Sequence, residues 1–137
     1  MKNPVVSRIV GVIAGLVVAM LVVMAAEGAG HAMFPPPEGL DITRPEDQAR
    51  LMELIPLGAK IAVVVAWFLG ALAGAATAIA IAQHILPGWI VGLVMVALSV
   101  VTTQMFPHPV WMIGAAVILP IAGVLAAKQL VASRLTA

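Results

Sequence analysis

Four long apolar stretches, at positions 4–26, 61–82, 87–106 and 110–127, leave this chain few folds to choose from. Arg8 is the one charge inside any of them. A helix needs about 20 mainly apolar residues to cross a hydrocarbon core of about 30 Å, and each stretch meets or approaches that length. Backbone polar groups inside a bilayer must be satisfied internally, which restricts spanning structures to helices and closed barrels. A barrel strand reads as about 10 residues of alternating polarity. These runs are continuous, rich in Ala, Val, Leu and Ile, and about twice as long, so the expectation is helical. With 63% hydrophobic and 9% charged residues, too few polar side chains remain to coat a soluble domain.

The acids divide the chain. All six, Glu27, Glu38, Asp41, Glu46, Asp47 and Glu53, fall between positions 27 and 53. The expected fold class is therefore all-α: an integral membrane antiparallel four-helix bundle with a short extracytoplasmic amphipathic helix. It forms a single membrane domain over 1–137, with spans at about 4–27, 58–83, 87–106 and 110–128. The extracytoplasmic loop and helix occupy 28–57. The first span is too long for the usual 7–15-residue core of a signal peptide and reads as a retained anchor.

Orientation follows the Lys and Arg residues near span ends. Lys2, Arg8, Lys128 and Arg134 share one side of an even-span topology, against Arg44, Arg50 and Lys60 on the other. The majority places both termini in the cytoplasm. Cysteine is absent, which excludes disulfides and thiolate chemistry, and a net charge of +1 without a basic cluster excludes nucleic acid as a partner.

The second span carries the clearest packing signal. Ala62, Ala66, Gly70, Gly74, Ala78 and Ala82 recur every fourth residue and lay a narrow groove along one face. Small residues at this spacing let a second backbone approach closely where lipid provides no hydrophobic drive for association. Gly11 and Gly15 in the first span, and Gly88 and Gly92 in the third, repeat the spacing once each. Whether the groove faces this chain or another is left open by the sequence. Pro120, well inside the fourth span, deprives the Ala116 carbonyl of its usual N–H partner, and a bend is expected there. Trp89 and Trp111 fall near opposite interfaces; Trp67 lies deeper and reads as a packing residue.

In the loop, Pro35, Pro36 and Pro37 enforce an extended segment. The run Thr43-Arg44-Pro45-Glu46 fits a capping box with proline in the first turn, opening a helix that ends near Ile55 before Pro56. Leu51, Leu54 and Ile55 share a face with Met52 beside it, while Asp47, Arg50 and Glu53 are placed towards water. An amphipathic helix of this kind lies on the surface or across the mouth of the bundle.

Candidate chemistry is sparse. Glu27 and His31 are four apart and share a face if the first helix continues through Gly28, Ala29 and Gly30. His108, in the tight turn between the third and fourth spans, lies on the same side. A carboxylate and two imidazoles form a ligand set for a divalent metal and also suit proton transfer, so Glu27, His31 and His108 are the candidate polar and metal cluster. The alternative is that Glu27 snorkels while the histidines cap helix ends. His84 lies on the opposite side. No Asp, Glu, Lys or Arg stands at mid-membrane, which argues against ion-coupled transport.

The pattern Glu27-x-x-Gly30-His31-x-x-Phe34-Pro35-x-Pro37-x-Gly39-x-Asp41, with Pro107-His108-Pro109-x-Trp111, resembles a group of small four-span bacterial inner-membrane proteins without an assigned activity. That resemblance implies a bacterial inner-membrane location and adds no mechanism. Small multidrug transporters share the size and span number but keep a glutamate inside their first helix; Glu27 lies at the end, so their function is not carried over.

Three functional readings follow. The first is a non-catalytic accessory or scaffold protein, working through helix packing in a homo-oligomer or larger membrane complex. The second is a binder or transporter of an apolar small molecule, such as a lipid, quinone or pigment, within the bundle. The third is a metal-dependent or acid/base membrane enzyme using Glu27, His31 and His108. Membrane lipids are partners in all three, and the residues name no cofactor.

Overall fold

The computed structural model describes residues 3–41 and 43–135. Five helices follow in order: α1 (Pro4–Met33), α2 (Pro45–Leu54), α3 (Leu57–Ala82), α4 (Ile85–Met105) and α5 (Val110–Leu135), with no strand among the described residues. Four of them, all but α2, are long and apolar enough to cross a membrane. Lys2, counted above among the basic residues near the termini, lies outside the described residues.

Local signals set most boundaries. The Asn3 carboxamide accepts from the amides of Val5 and Val6, and Pro4 occupies the first turn, where a missing N–H costs nothing. Helix α3 ends at Gln83, which takes a left-handed conformation (φ 53°). His84 then caps α4, its Nδ1 accepting from the Leu86 amide at 3.1 Å. Pro87 therefore sits in the first turn of α4 instead of before it. Two helices run past their expected ends. Helix α1 continues through Gly28 and Gly30 to Met33, and α5 continues seven residues past 128 to Leu135. At 30 residues α1 is about 45 Å long, more than a hydrocarbon core requires.

Helix α3 is the hub and packs against α1, α4 and α5; α4 also touches α1 and α5, whereas α1 and α5 flank the pair and do not meet. The α1–α3 seam decides where the small-residue groove faces. A Cβ on Gly11 would stand 2.8 Å from the Ala78 carbonyl oxygen and 3.3 Å from the Ala82 Cβ. Gly15 and Gly74 oppose each other, a Cβ on either meeting the other's carbonyl oxygen at 2.6 Å. Gly70 lies against Ala19 and Val23, and Gly30 against Ala62. Numbering rises along α1 as it falls along α3. The groove is thus filled by the same chain, and α1 answers it with its own row, Ser7, Gly11, Gly15 and Ala19, all buried.

Three apolar clusters fill the interior. Val91 and Met95 pack with Ala19, Ala71 and Ala78 at mid-height. Ile79, Val124 and Val131 pack with Ala75 and Ala127 towards the end carrying both termini, with Trp89 alongside. Towards the α2 end, Trp67 and Met112 pack with Val64 and Ala116.

Side-chain hydroxyls in the long helices bond to carbonyls of their own helix, with one informative exception. Thr77, Thr102 and Thr103 donate to carbonyls of their own helices. Ser99, buried on α4, has its Oγ 2.7 Å from the Ala116 carbonyl on α5, and 2.8 Å from the Met95 carbonyl of its own helix. Ala116 is the residue whose carbonyl Pro120 leaves without an amide partner, and α5 continues as helix across the proline. The hydroxyl stands where it can replace the missing N–H. Ser99→Ala should destabilise the protein by about 1 kcal/mol, and less once Pro120→Ala restores the amide donor. Denaturation of the two single variants and the double variant checks this; equal Ser99→Ala costs in both backgrounds would remove the exchange.

Candidate functional site

The segment after α1 shapes the α2 end. The Phe34 amide closes α1 on the Gly30 carbonyl at 2.8 Å, and the Phe34 ring then lies over the first turn of α3. A Cβ on Gly58 would stand 2.5 Å from that ring, so a side chain there would evict it. After the three prolines the chain turns at Gly39, whose φ of +81° falls in the region that favours glycine. Thr43 does not cap α2 as the capping-box pattern predicts. Its amide and hydroxyl both donate to Asp41 Oδ1, at 2.9 and 2.6 Å, and the Asp41 amide donates to Asp47 Oδ2 at 2.9 Å. Helix α2 follows Arg44, its N-cap residue, which makes no side-chain cap hydrogen bond. The two hydrogen bonds from Thr43 hold the Asp41 carboxyl below the usual carboxylate range. Because that pKa is depressed, the turn's contribution is present above the ordinary value of 3.8 and is lost as pH falls through the lower folded value. Asp47 joins this clasp through an exposed hydrogen bond.

Helix α2 makes no close backbone approach to the other four helices. Held at a distance, it roofs a cavity of about 470 Å³, the chamber. The walls are the last turns of α1 and α4, the first turns of α3 and α5, and Phe34 with Pro35, Pro36 and Pro37. Leu51, Met52, Leu54 and Ile55, the four residues of the predicted amphipathic face, all line it. Met112 lines it from α5 and is itself part of the Trp67 cluster, which joins the chamber to the interior. A second cavity of about 340 Å³, the mouth, lies between α2 and the turn before α5 and is lined in part by Ala49, Glu53, Pro107 and Pro109.

The sequence-predicted cluster converges on this chamber. Glu27, His31 and His108 all line it, because α1 stays helical through the glycines and keeps Glu27 and His31 on one face. Glu27 and His108 are half-buried, while His31 is exposed. Their juxtaposition is loose, since among the described residues no three His, Cys, Asp or Glu side chains stand close enough to hold a metal ion. Sharing a cavity wall is not sharing a coordination sphere. The His108 Nδ1 lies 2.9 Å from the Phe106 carbonyl, and a carbonyl only accepts, so Nδ1 carries the proton. In the neutral ring, Nε2 is then the acceptor. The Phe106 and His108 rings meet edge to face, 6.4 Å between centroids.

Sequence reasoning overlooked Lys60 and Thr102 as chamber residues. Both were visible as polar groups near span ends, yet only the position of α2 encloses them. Lys60, half-buried in the first turn of α3, lines both cavities. Among the described residues the one ion pair is Arg44 with Asp41, 3.7 Å apart on the exposed turn before α2. His84 caps α4 at the other end, remote from the chamber, as its position between the second and third spans predicts.

Comparison with protein-family models, curated proteins and solved structures gives no match.

Proposed function

We propose that the chain is a multi-pass protein of a bacterial inner membrane, an antiparallel four-helix bundle with both termini cytoplasmic, that binds an apolar small molecule beneath α2. The observation that carries the reading is the chamber itself: about 470 Å³, apolar on most sides, with a few polar groups converging from α1, α3, α4 and the turn before α5. Ligand sites are typically concave, of about 300–1,000 Å³, and lined by hydrophobic side chains with a few placed polar groups. Enclosure by an amphipathic helix on one side and helix ends on the other also suits an amphiphile arriving from the surface of a bilayer.

An accessory role was the first reading from sequence, and it leaned on the small-residue groove. With α1 seated in that groove, the support moves to the outward face of α1, where Ile9, Ile13, Val17, Leu21 and Met24 are exposed. Lipid chains cover such a face as well as a partner helix does. An enzymatic role through Glu27, His31 and His108 is the third reading, and it calls for the three side chains to draw together.

The test uses the full chain released from its own membrane in mild detergent. Native mass spectra should show a retained small molecule. Ala59→Trp, which projects bulk into the chamber from α3, should reduce that load about tenfold or more while leaving helix content unchanged. An unchanged load in the variant would remove the chamber as the binding site, and a second copy in place of a small molecule would favour the accessory reading.

A further inference from the structure

Resting on that binding reading, we infer that the chamber takes a single acyl chain whose anionic headgroup sits on Lys60 and His108, between the chamber and the mouth. Three side chains are common to the two cavities, Met52, Lys60 and His108, and they mark the passage from one to the other. Two of the three are basic or able to become so.

Lys60 is half-buried, and no carboxylate among the described residues is in ion-pair contact with it. A partly desolvated ammonium without a partner favours an anion. The helix dipoles do not decide this, since α3 and α5 begin at this end while α1 and α4 finish at it, so positive and negative ends offset. His108 supplies a second contact. Its Nδ1–H is already given to Phe106, so the neutral ring offers Nε2 to a protonated headgroup, and the imidazolium donates from Nε2 to an ionised one.

The acids nearby set the headgroup's position. Glu27 lines the chamber from α1 and does not reach the mouth, so it disfavours an anion on the α1 side. Glu53 lines the mouth but is exposed, where water and salt screen it. An anion on the Lys60 side avoids the first and is little affected by the second.

The volume selects the tail. At about 30 Å³ per water molecule, 470 Å³ holds roughly 16. A methylene occupies nearly the same space, so the chamber has room for one long acyl chain. The shared ligand chemistry is a carboxylate or phosphate on one chain, supplied by a free fatty acid or by a lysophospholipid.

The experiment titrates the full chain, in nanodiscs of zwitterionic lipid, with oleate, oleoyl lysophosphatidate and uncharged monooleoylglycerol, read by native mass spectrometry. Either anion should bind about tenfold more tightly than monooleoylglycerol. The tighter of the two identifies the source. Lys60→Gln should abolish the difference while retaining monooleoylglycerol, which reports an intact chamber, and Lys60→Arg should keep the preference. Equal binding of all three by the unaltered protein, or a preference unchanged in Lys60→Gln, would overturn the headgroup assignment and leave the binding reading standing. Failure of all three ligands to bind would overturn this inference, while the binding reading stands or falls on the retained molecule and the Ala59→Trp variant.

Discussion

Gly15→Val should destabilise the helix assembly by about 3 kcal/mol or prevent its formation. The reason is distance. A Cβ on Gly15 would stand 2.6 Å from the Gly74 carbonyl oxygen, 2.9 Å from the Ala78 Cβ and 2.9 Å from a Val91 methyl. The first of these is backbone in the middle of α3, so no rotamer change relieves it and the helices must separate. Overpacking a filled interior usually costs about 1–3 kcal/mol, and a clash with backbone belongs at the upper end. Separation also weakens every other contact along the seam, from Gly11 against Ala78 to Gly70 against Ala19. The opposite substitution, Gly74→Val, meets the same opposition from Gly15 and should fail alike. Gly114 supplies the control, since a Cβ there meets nothing within 4 Å. Gly114→Ala should be neutral or stabilise by up to about 1 kcal/mol through helix propensity. Denaturation midpoints of the variants check the series, and a Gly15→Val protein as stable as its parent would refute the seam.

How much of this the sequence disclosed differs from one feature to the next, for physical reasons. The long helices were legible because apolar length is a one-dimensional property, and α1, α3, α4 and α5 fall close to the four apolar stretches. The end of α1 was harder. Gly28 and Gly30 lower helix propensity, yet Gly30 lies against Ala62, and the close approach it permits to α3 accompanies one more turn of helix. The groove was legible as a pattern while its occupant was not. Ser7, Gly11, Gly15 and Ala19 form a matching row, but which row meets which depends on how helices pair in three dimensions. The amphipathic face of α2 was readable from spacing, and all four of its predicted residues line the chamber. What held α2 in place was not readable, because Asp41 and Asp47 lie six apart and meet only through the turn that closes the Arg44 amide on the Asp41 carbonyl. The chamber is a void produced by that stand-off, and no residue pattern encodes a void. Glu27, His31 and His108 line one chamber, while the separation that keeps them from forming a metal-binding group is tertiary.

Trp67→Ala is the second substitution expected to have a large effect, and it bears on stability and binding together. Trp67 is 3% exposed and packs with Val64, Met112 and Ala116. Truncating a buried tryptophan costs about 3–5 kcal/mol in soluble proteins, part of it transfer from water and part the cavity left behind. Under the membrane reading the unfolded helices remain in lipid, so the transfer part shrinks and lost packing dominates, giving about 3 kcal/mol. Trp111 provides the comparison. It is 44% exposed on the first turn of α5, and Trp111→Ala should stay within about 0.5 kcal/mol. The new void would lie beside Met112, the member of the cluster that lines the chamber. If Met112 moves into it, the chamber deepens and should accept a longer acyl chain than the parent does, with the headgroup unmoved at Lys60. Denaturation midpoints measure the first effect, and titration with fatty acids of increasing length measures the second. A large loss of stability with no change in chain-length preference would separate the Trp67 cluster from the chamber. Equal stability of the Trp67 and Trp111 variants would mean that the cluster does not hold this end of the molecule together.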